Sequence, residues 1–164
     1  MPGDAKLHFT AMKPITSKNG NLKVSEIAPL RVGEPVFLPL AFCSVSAGFP
    51  SPADDHIEKA IDLSEWLVKN EVATFIMRVR GDSMDNAIHD GDRVIIDRSI
   101  DPKSTDIVVA CLDGEMLVKR FVQRGERVFL VAENPQYSEI EITGESELII
   151  WGVVTHCIHS FKNG

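Results

Sequence analysis

Two side chains in this sequence have the type and setting to break a peptide bond. Ser83 lies in RVRGDSMDNAIHDGDRVIID, residues 78–97, where a polar crossing joins two strand-like runs just past Gly81. A hydroxyl on a glycine-hinged turn at a strand end is well placed as a nucleophile, and equally well placed as an ordinary turn residue. A nucleophilic serine needs a partner that takes its proton, most often histidine and otherwise a neutral lysine. The five histidines are poorly placed: His8 in an N-terminal arm, His56 in a linker, and His156 and His159 near the end of the last strand. His89 is close to Ser83 but stands beside Asp90 and Gly91 in an exposed turn.

Lys119 has the better setting. Residues two apart on a strand share a face, so in EMLVKRFV it points the same way as Leu117 and Phe121. An ammonium between apolar neighbours loses hydration, which lowers its pKa and fits it to accept a proton near neutrality. The plainer reading is a lysine at a strand edge with its stem buried and its head in water.

The elements that must position these groups follow from the pattern. Residues 1–47 hold five of the nine prolines and no sustained helical period, so they read as an extended arm with strand-like pieces such as PVFLPLAF. Residues 48–73 read as a linker opening on GFPSPADD. Asp54 or Asp55 could cap a short helix through HIEKAI, and Asp62 another through LSEWLVKN, with Ile61, Trp66 and Leu67 facing the body. From Thr74 to residue 164 the runs TFIMRVR, RVIIDRS, DIVVACL, EMLVKRFV, RVFLVAE and ELIIWGVVTHCIHSF read as strands. Asp113-Gly114 between the third and fourth is a strong two-residue hairpin signal. The fold class is mainly β: a compact body preceded by an extended arm.

Composition narrows the function. Formal charge is −7, divided as +2 over residues 1–47 and −9 over the rest, which argues against direct nucleic-acid binding through phosphate neutralisation. No apolar run approaches bilayer length and no signal peptide is read at the start, so neither membrane attachment nor export is expected. Cys43, Cys111 and Cys157 are odd in number and widely spaced; they suit a reducing cytoplasm and read as small buried or half-buried hydrophobes. The run Asp82, Asp85, Asp90, Asp92, Asp97 lacks calcium-loop spacing and reads as solvated turn carboxylates, so no metal and no cofactor are expected. GDSMD is not a hydrolase elbow, because Asp85 stands where a second glycine belongs.

GDSM followed by DGDRVIIDRS and then DIVVACLDGEMLVKRF resembles the self-cleaving Ser-Lys protease domain shared by LexA-type repressors and UmuD-type mutagenesis proteins. AGFPSPADDHIEKAIDLSEWL resembles the UmuD branch in particular, and the likeness runs from about Phe37 to Phe161. It implies a β-clip-like catalytic domain with Ser83 as nucleophile and Lys119 as general base. It also implies a cut in the chain's own arm between a small residue and glycine, and the only Ala-Gly or Cys-Gly step is Ala47-Gly48. Glycine there lets the backbone bend close to the nucleophile. The oxyanion would be held by the Ser83 N–H and a neighbouring amide, with Asp82 the candidate. The resemblance further implies stimulation by RecA filaments on single-stranded DNA, a homodimer, and a trimmed product that serves an error-prone Y-family (UmuC-like) DNA polymerase. A repressor is excluded by the proline-broken arm, which cannot supply a helix-turn-helix. The alternative is a non-catalytic polymerase-binding protein with an inactive protease fold.

Overall fold

The computed structural model describes residues 23–30, 32–35, 37–41 and 57–162. Ten strands and one short helix follow in chain order. They are β1 (Lys23–Pro29), β2 (Phe37–Ala41), β3 (Ile57–Asp62), α1 (Leu63–Leu67), β4 (Thr74–Arg80), β5 (Arg93–Asp97), β6 (Ile107–Leu112), β7 (Glu115–Arg124), β8 (Arg127–Val131), β9 (Ile140–Ile142) and β10 (Leu148–Ile158). Eight form one antiparallel sheet in the order β1-β4-β5-β10-β6-β7-β8-β9, while β2 and β3 pair with each other. The mainly-β expectation holds.

The β6–β7 hairpin turns at Asp113 and Gly114, whose φ values of 49° and 84° are those a type I′ turn needs. Neighbours on β6 alternate between two apolar clusters. Val109 joins Met77, Val79, Met84, Ile88, Val94, Ile96 and Val118, whereas Val108 and Ala110 join Leu130 and Val153. Both faces of β6 are therefore buried, which explains its unbroken apolar run.

β10 has the same character for a different reason. Its first half pairs with β6 and its second half with β5, and Val153 stands opposite both Val108 and Asp97. Apolar residues on both faces of ELIIWGVVTHCIHSF thus reflect a strand in the middle of the sheet, although Ile149 remains 53% exposed. At the handover a Cβ on Gly152 would lie 2.6 Å from Ile96 Cγ2 and 3.2 Å from the Asp97 carbonyl oxygen, so only glycine admits the approach of β5.

Part of the proline-rich arm is edge strand: β1 pairs with β4 from Lys23 opposite Arg80 to Pro29 opposite Phe75. HIEKAI corrects the sequence reading, because from Ile57 it is strand and not helix. Six residues are too few to sustain an isolated helix, and β2 satisfies the backbone instead, with Leu38 opposite Ile61 and Pro39 opposite Ala60. The caps suggested at Asp54 and Asp55 lie outside the described residues. Asp62 does cap α1, its carboxylate accepting from the Ser64 N–H at 2.8 Å. Trp66 does not turn inward as expected: it is 54% exposed and makes a T-shaped ring contact with His156, centroids 5.9 Å apart.

Candidate active site

Ser83 is carried on the crossing between β4 and β5. Gly81, at φ 109°, turns the chain out of β4, and its N–H donates to Asp90 Oδ1 at 2.8 Å. The base is closed by backbone bonds from Val79 to Asp92 and from Gly91 to Val79, both 3.0 Å. Met84 and Ile88, from the same crossing, are buried in the core. These anchors draw the intervening polar residues inward, and Ser83 is 0% exposed.

Lys119 lies opposite Val108 in the β6–β7 ladder, and Leu117 lies opposite Ala110, so the lysine shares a face with apolar side chains of both strands. It is 1% exposed, the largest side chain among the fully buried ones. Its Nζ donates to Ser83 Oγ. Burial brings its pKa down to about 8, with the charges of Asp82 and Glu115 pulling the other way. The strand-edge reading of Lys119 is therefore wrong: the head is as deep as the stem. A buried amine held near neutrality against a hydroxyl can exchange a proton with it.

A loop that the sequence reading passed over holds the turn that carries Ser83. Asn134 Nδ2 donates to the Asp82 carbonyl at 3.1 Å, and the Asn134 N–H donates to the Ser83 carbonyl at 3.1 Å. The carboxamide is itself oriented, because its Oδ1 accepts from the Gln136 N–H at 3.0 Å. Tyr137 donates its hydroxyl proton to Asp82 Oδ1, which raises the phenol pKa, and its ring centroid lies 5.8 Å from Lys119 Nζ. The only local trace of this clamp is Asn134-Pro135 in AENPQY, an ordinary turn signal.

Ala47 and Gly48 lie outside the described residues, as does Cys43. His89, the other base considered, stands with Asp92 and His159: its Nδ1 is 3.7 Å from Asp92 Oδ2. Two of the five aspartates read as solvated are buried. Asp97 accepts from the Ser99 N–H at 2.7 Å and from its hydroxyl at 2.6 Å. Burial pushes the Asp92 carboxyl up, but bonds from His89, His159 and Cys157 outweigh it and leave the pKa below the usual carboxylate value. Cys157 is an exposed residue and not the half-buried hydrophobe expected. Its thiol turns in to Asp92 Oδ2 at 3.4 Å, and burial, with that charge, pushes its pKa up to about 12. Among the described residues no helix is long and apolar enough to cross a membrane.

Comparisons with known proteins identify the relatives of the chain. The chain is 41% identical to the protein MucA of Salmonella typhimurium over 123 residues, covering 74% of this chain and 84% of that protein. It is 42% identical to the protein SamA of the same species over 118 residues, covering 71% and 81%. It is also 39% identical to the LexA repressor of Ectopseudomonas mendocina over 111 residues, covering 66% of this chain and 54% of the repressor. Residues 39–155 match the Peptidase S24-like family model. With UmuD-type relatives over most of its length, the chain belongs to the Peptidase S24-like family of self-cleaving serine peptidases.

Proposed function

We propose that this UmuD-type SOS mutagenesis protein cuts its own arm at Ala47-Gly48, with Ser83 as nucleophile and Lys119 as general base. The observation that carries the reading is the buried hydrogen bond between Lys119 Nζ and Ser83 Oγ, made by an amine whose pKa is brought down to about 8. At neutral pH about a tenth of such an amine is unprotonated, which suffices for slow self-cleavage.

In this mechanism neutral Lys119 takes the Ser83 proton as Oγ adds to the Ala47 carbonyl carbon. The oxyanion is held by the Ser83 N–H, with the Asp82 amide as the second donor. Collapse breaks the bond to Gly48, whose nitrogen leaves with the proton from Lys119. Water, activated by the same lysine, then releases Ala47 from Ser83.

The likeness to UmuD-type proteins supports the wider role. RecA filaments on single-stranded DNA would favour the cleavable pose of the arm, and the product would join a UmuC-like Y-family polymerase as a cytoplasmic homodimer. Intact-mass analysis after incubation with RecA, an ATP analogue and single-stranded DNA tests the chemistry. One new species comprising residues 48–164 is expected, absent from Ser83→Ala. A cut elsewhere rejects the site, and an unchanged mass in every sample favours the non-catalytic reading.

A further inference from the structure

The crossing that carries Ser83 has a second constellation at its other end. His89 and Asp92 close the turn into β5, and His159 arrives from just beyond β10. One ligand atom from each of the three lies within 4.8 Å of the others. We propose that His89, Asp92 and His159 form a binding site for a divalent transition-metal ion, zinc foremost, with water in the fourth position.

The donor set selects this class. Two imidazoles and one carboxylate suit zinc and its transition-metal neighbours, whereas calcium and magnesium ask for oxygen donors throughout. The spacing is close to what the ion needs. Bonds of 2.0–2.1 Å in tetrahedral geometry put donors about 3.3 Å apart. His89 Nδ1 lies 3.7 Å from Asp92 Oδ2 and His159 Nδ1 lies 2.6 Å from Oδ1, so each imidazole faces its own oxygen of one carboxylate, and one donor atom of each residue lies within 4.8 Å of the others. Small rotations of the two exposed rings bring both nitrogens to bonding distance of an ion held by the carboxylate, and the cation then replaces the hydrogen bond between His159 and Asp92.

The carboxylate is already oriented. Its side chain is 3% exposed, and Oδ2 accepts from the His89 N–H at 2.8 Å, so it does not have to be ordered on binding. The imidazoles are about half exposed, which leaves a path for entry and room for the water ligand. The Phe161 and His159 rings meet in a T-shaped contact with centroids 4.8 Å apart, and the two imidazole centroids are 5.2 Å apart. Cys157 Sγ, 3.4 Å from Asp92 Oδ2, flanks the site without entering the trio. The −9 charge of residues 48–164 favours cation capture. A bound ion would tie the end of β10 to the crossing that bears Ser83.

The test uses full-length protein with Ser83→Ala, which keeps the chain intact, stripped with chelator and titrated with zinc against a chromophoric indicator. One ion per chain and a rise in melting temperature on saturation are expected. His89→Ala, His159→Ala and Asp92→Asn should each weaken binding by about tenfold or more, and Cys157→Ser by less than about twofold. His89→Ala is the cleanest variant, since that ring is exposed and its loss leaves the fold intact by circular dichroism. The cobalt form should show visible d–d bands without a thiolate charge-transfer band. No saturable binding would mean that the three residues form only an ion-pair network and would overturn the proposal. So would binding that survives His89→Ala and His159→Ala together, or a thiolate band that vanishes in Cys157→Ser.

Discussion

Asn134 Nδ2 lies 3.1 Å from the carbonyl oxygen of Asp82, fifty-two residues back along the chain. The peptide it grips is the one whose N–H belongs to Ser83. In a trans peptide that N–H points opposite to the carbonyl, so gripping the oxygen aims the amide proposed to hold the oxyanion. Asn134→Ala and Asn134→Asp should each slow self-cleavage by about 10–100-fold, because a misaimed donor loses most of its effect on the transition state. For Asn134→Ala the pH at which the rate levels off should stay where it is, whereas the carboxylate of Asn134→Asp, set beside Asp82, should move it upward, as the Asp82 charge already does. A rate within about twofold of wild type would remove Asn134 from the positioning role.

Loss of either member of the pair should abolish cleavage, and the losses should not add. Ser83→Ala, Lys119→Ala and the double variant should be equally inactive by intact mass, as expected of groups that act as one unit. A Lys119→Ala protein that still cuts at near-native rate would assign the base elsewhere.

The rate of unassisted cleavage should rise with pH. Lys119 accepts a proton only when neutral, so the rate climbs about tenfold per unit below its pKa and levels off above about 8. A flat profile in protein that remains folded counts against a lysine base.

The same lysine should weaken the fold at neutral pH. Its folded pKa of about 8 is below the ordinary lysine value of 10.5, so the unfolded chain binds the extra proton more readily. The cost is fully present below pH 8 and is relieved as pH rises toward 10.5, amounting to about 3 kcal/mol. In the Ser83→Ala background, Lys119→Met should gain about 1–3 kcal/mol at pH 7 by urea unfolding, with the gap narrowing above pH 9. Equal stability at both pH values would show that the amine is effectively solvated.

Gly152→Ala should destabilise the body by about 1–3 kcal/mol, because the new methyl meets Ile96 Cγ2 and the backbone of Asp97 where β10 changes partners. An unchanged melting temperature would mean that β5 can move away at little cost.

What could be read in advance was what local pattern determines. The Asp113-Gly114 hairpin, the Asp62 cap and the runs from Thr74 onward each carry their signal within a few residues. HIEKAI misled because so short a run suits helix or strand alike, and only pairing with β2 decides between them. Asp92 and Cys157 were misplaced because their partners are sixty-five residues apart in sequence. Asn134 stayed hidden because its function depends on where two loops meet. Ser83 and Lys119 showed through the strand period and the resemblance, but the depth of the lysine became visible only once β6 was laid beside it.

The position of β10 also sets a timetable. Ser83 hangs from the β4–β5 pair and Lys119 from the β6–β7 pair, and the ladder that joins these pairs is made by β10 alone. β10 also follows every other described strand along the chain. A nascent chain exposes its arm first, its serine next and its lysine later, yet the two halves are not tied together until the final strand threads between them. On the proposed mechanism the blade exists early, and the handle that aligns it follows both of its halves.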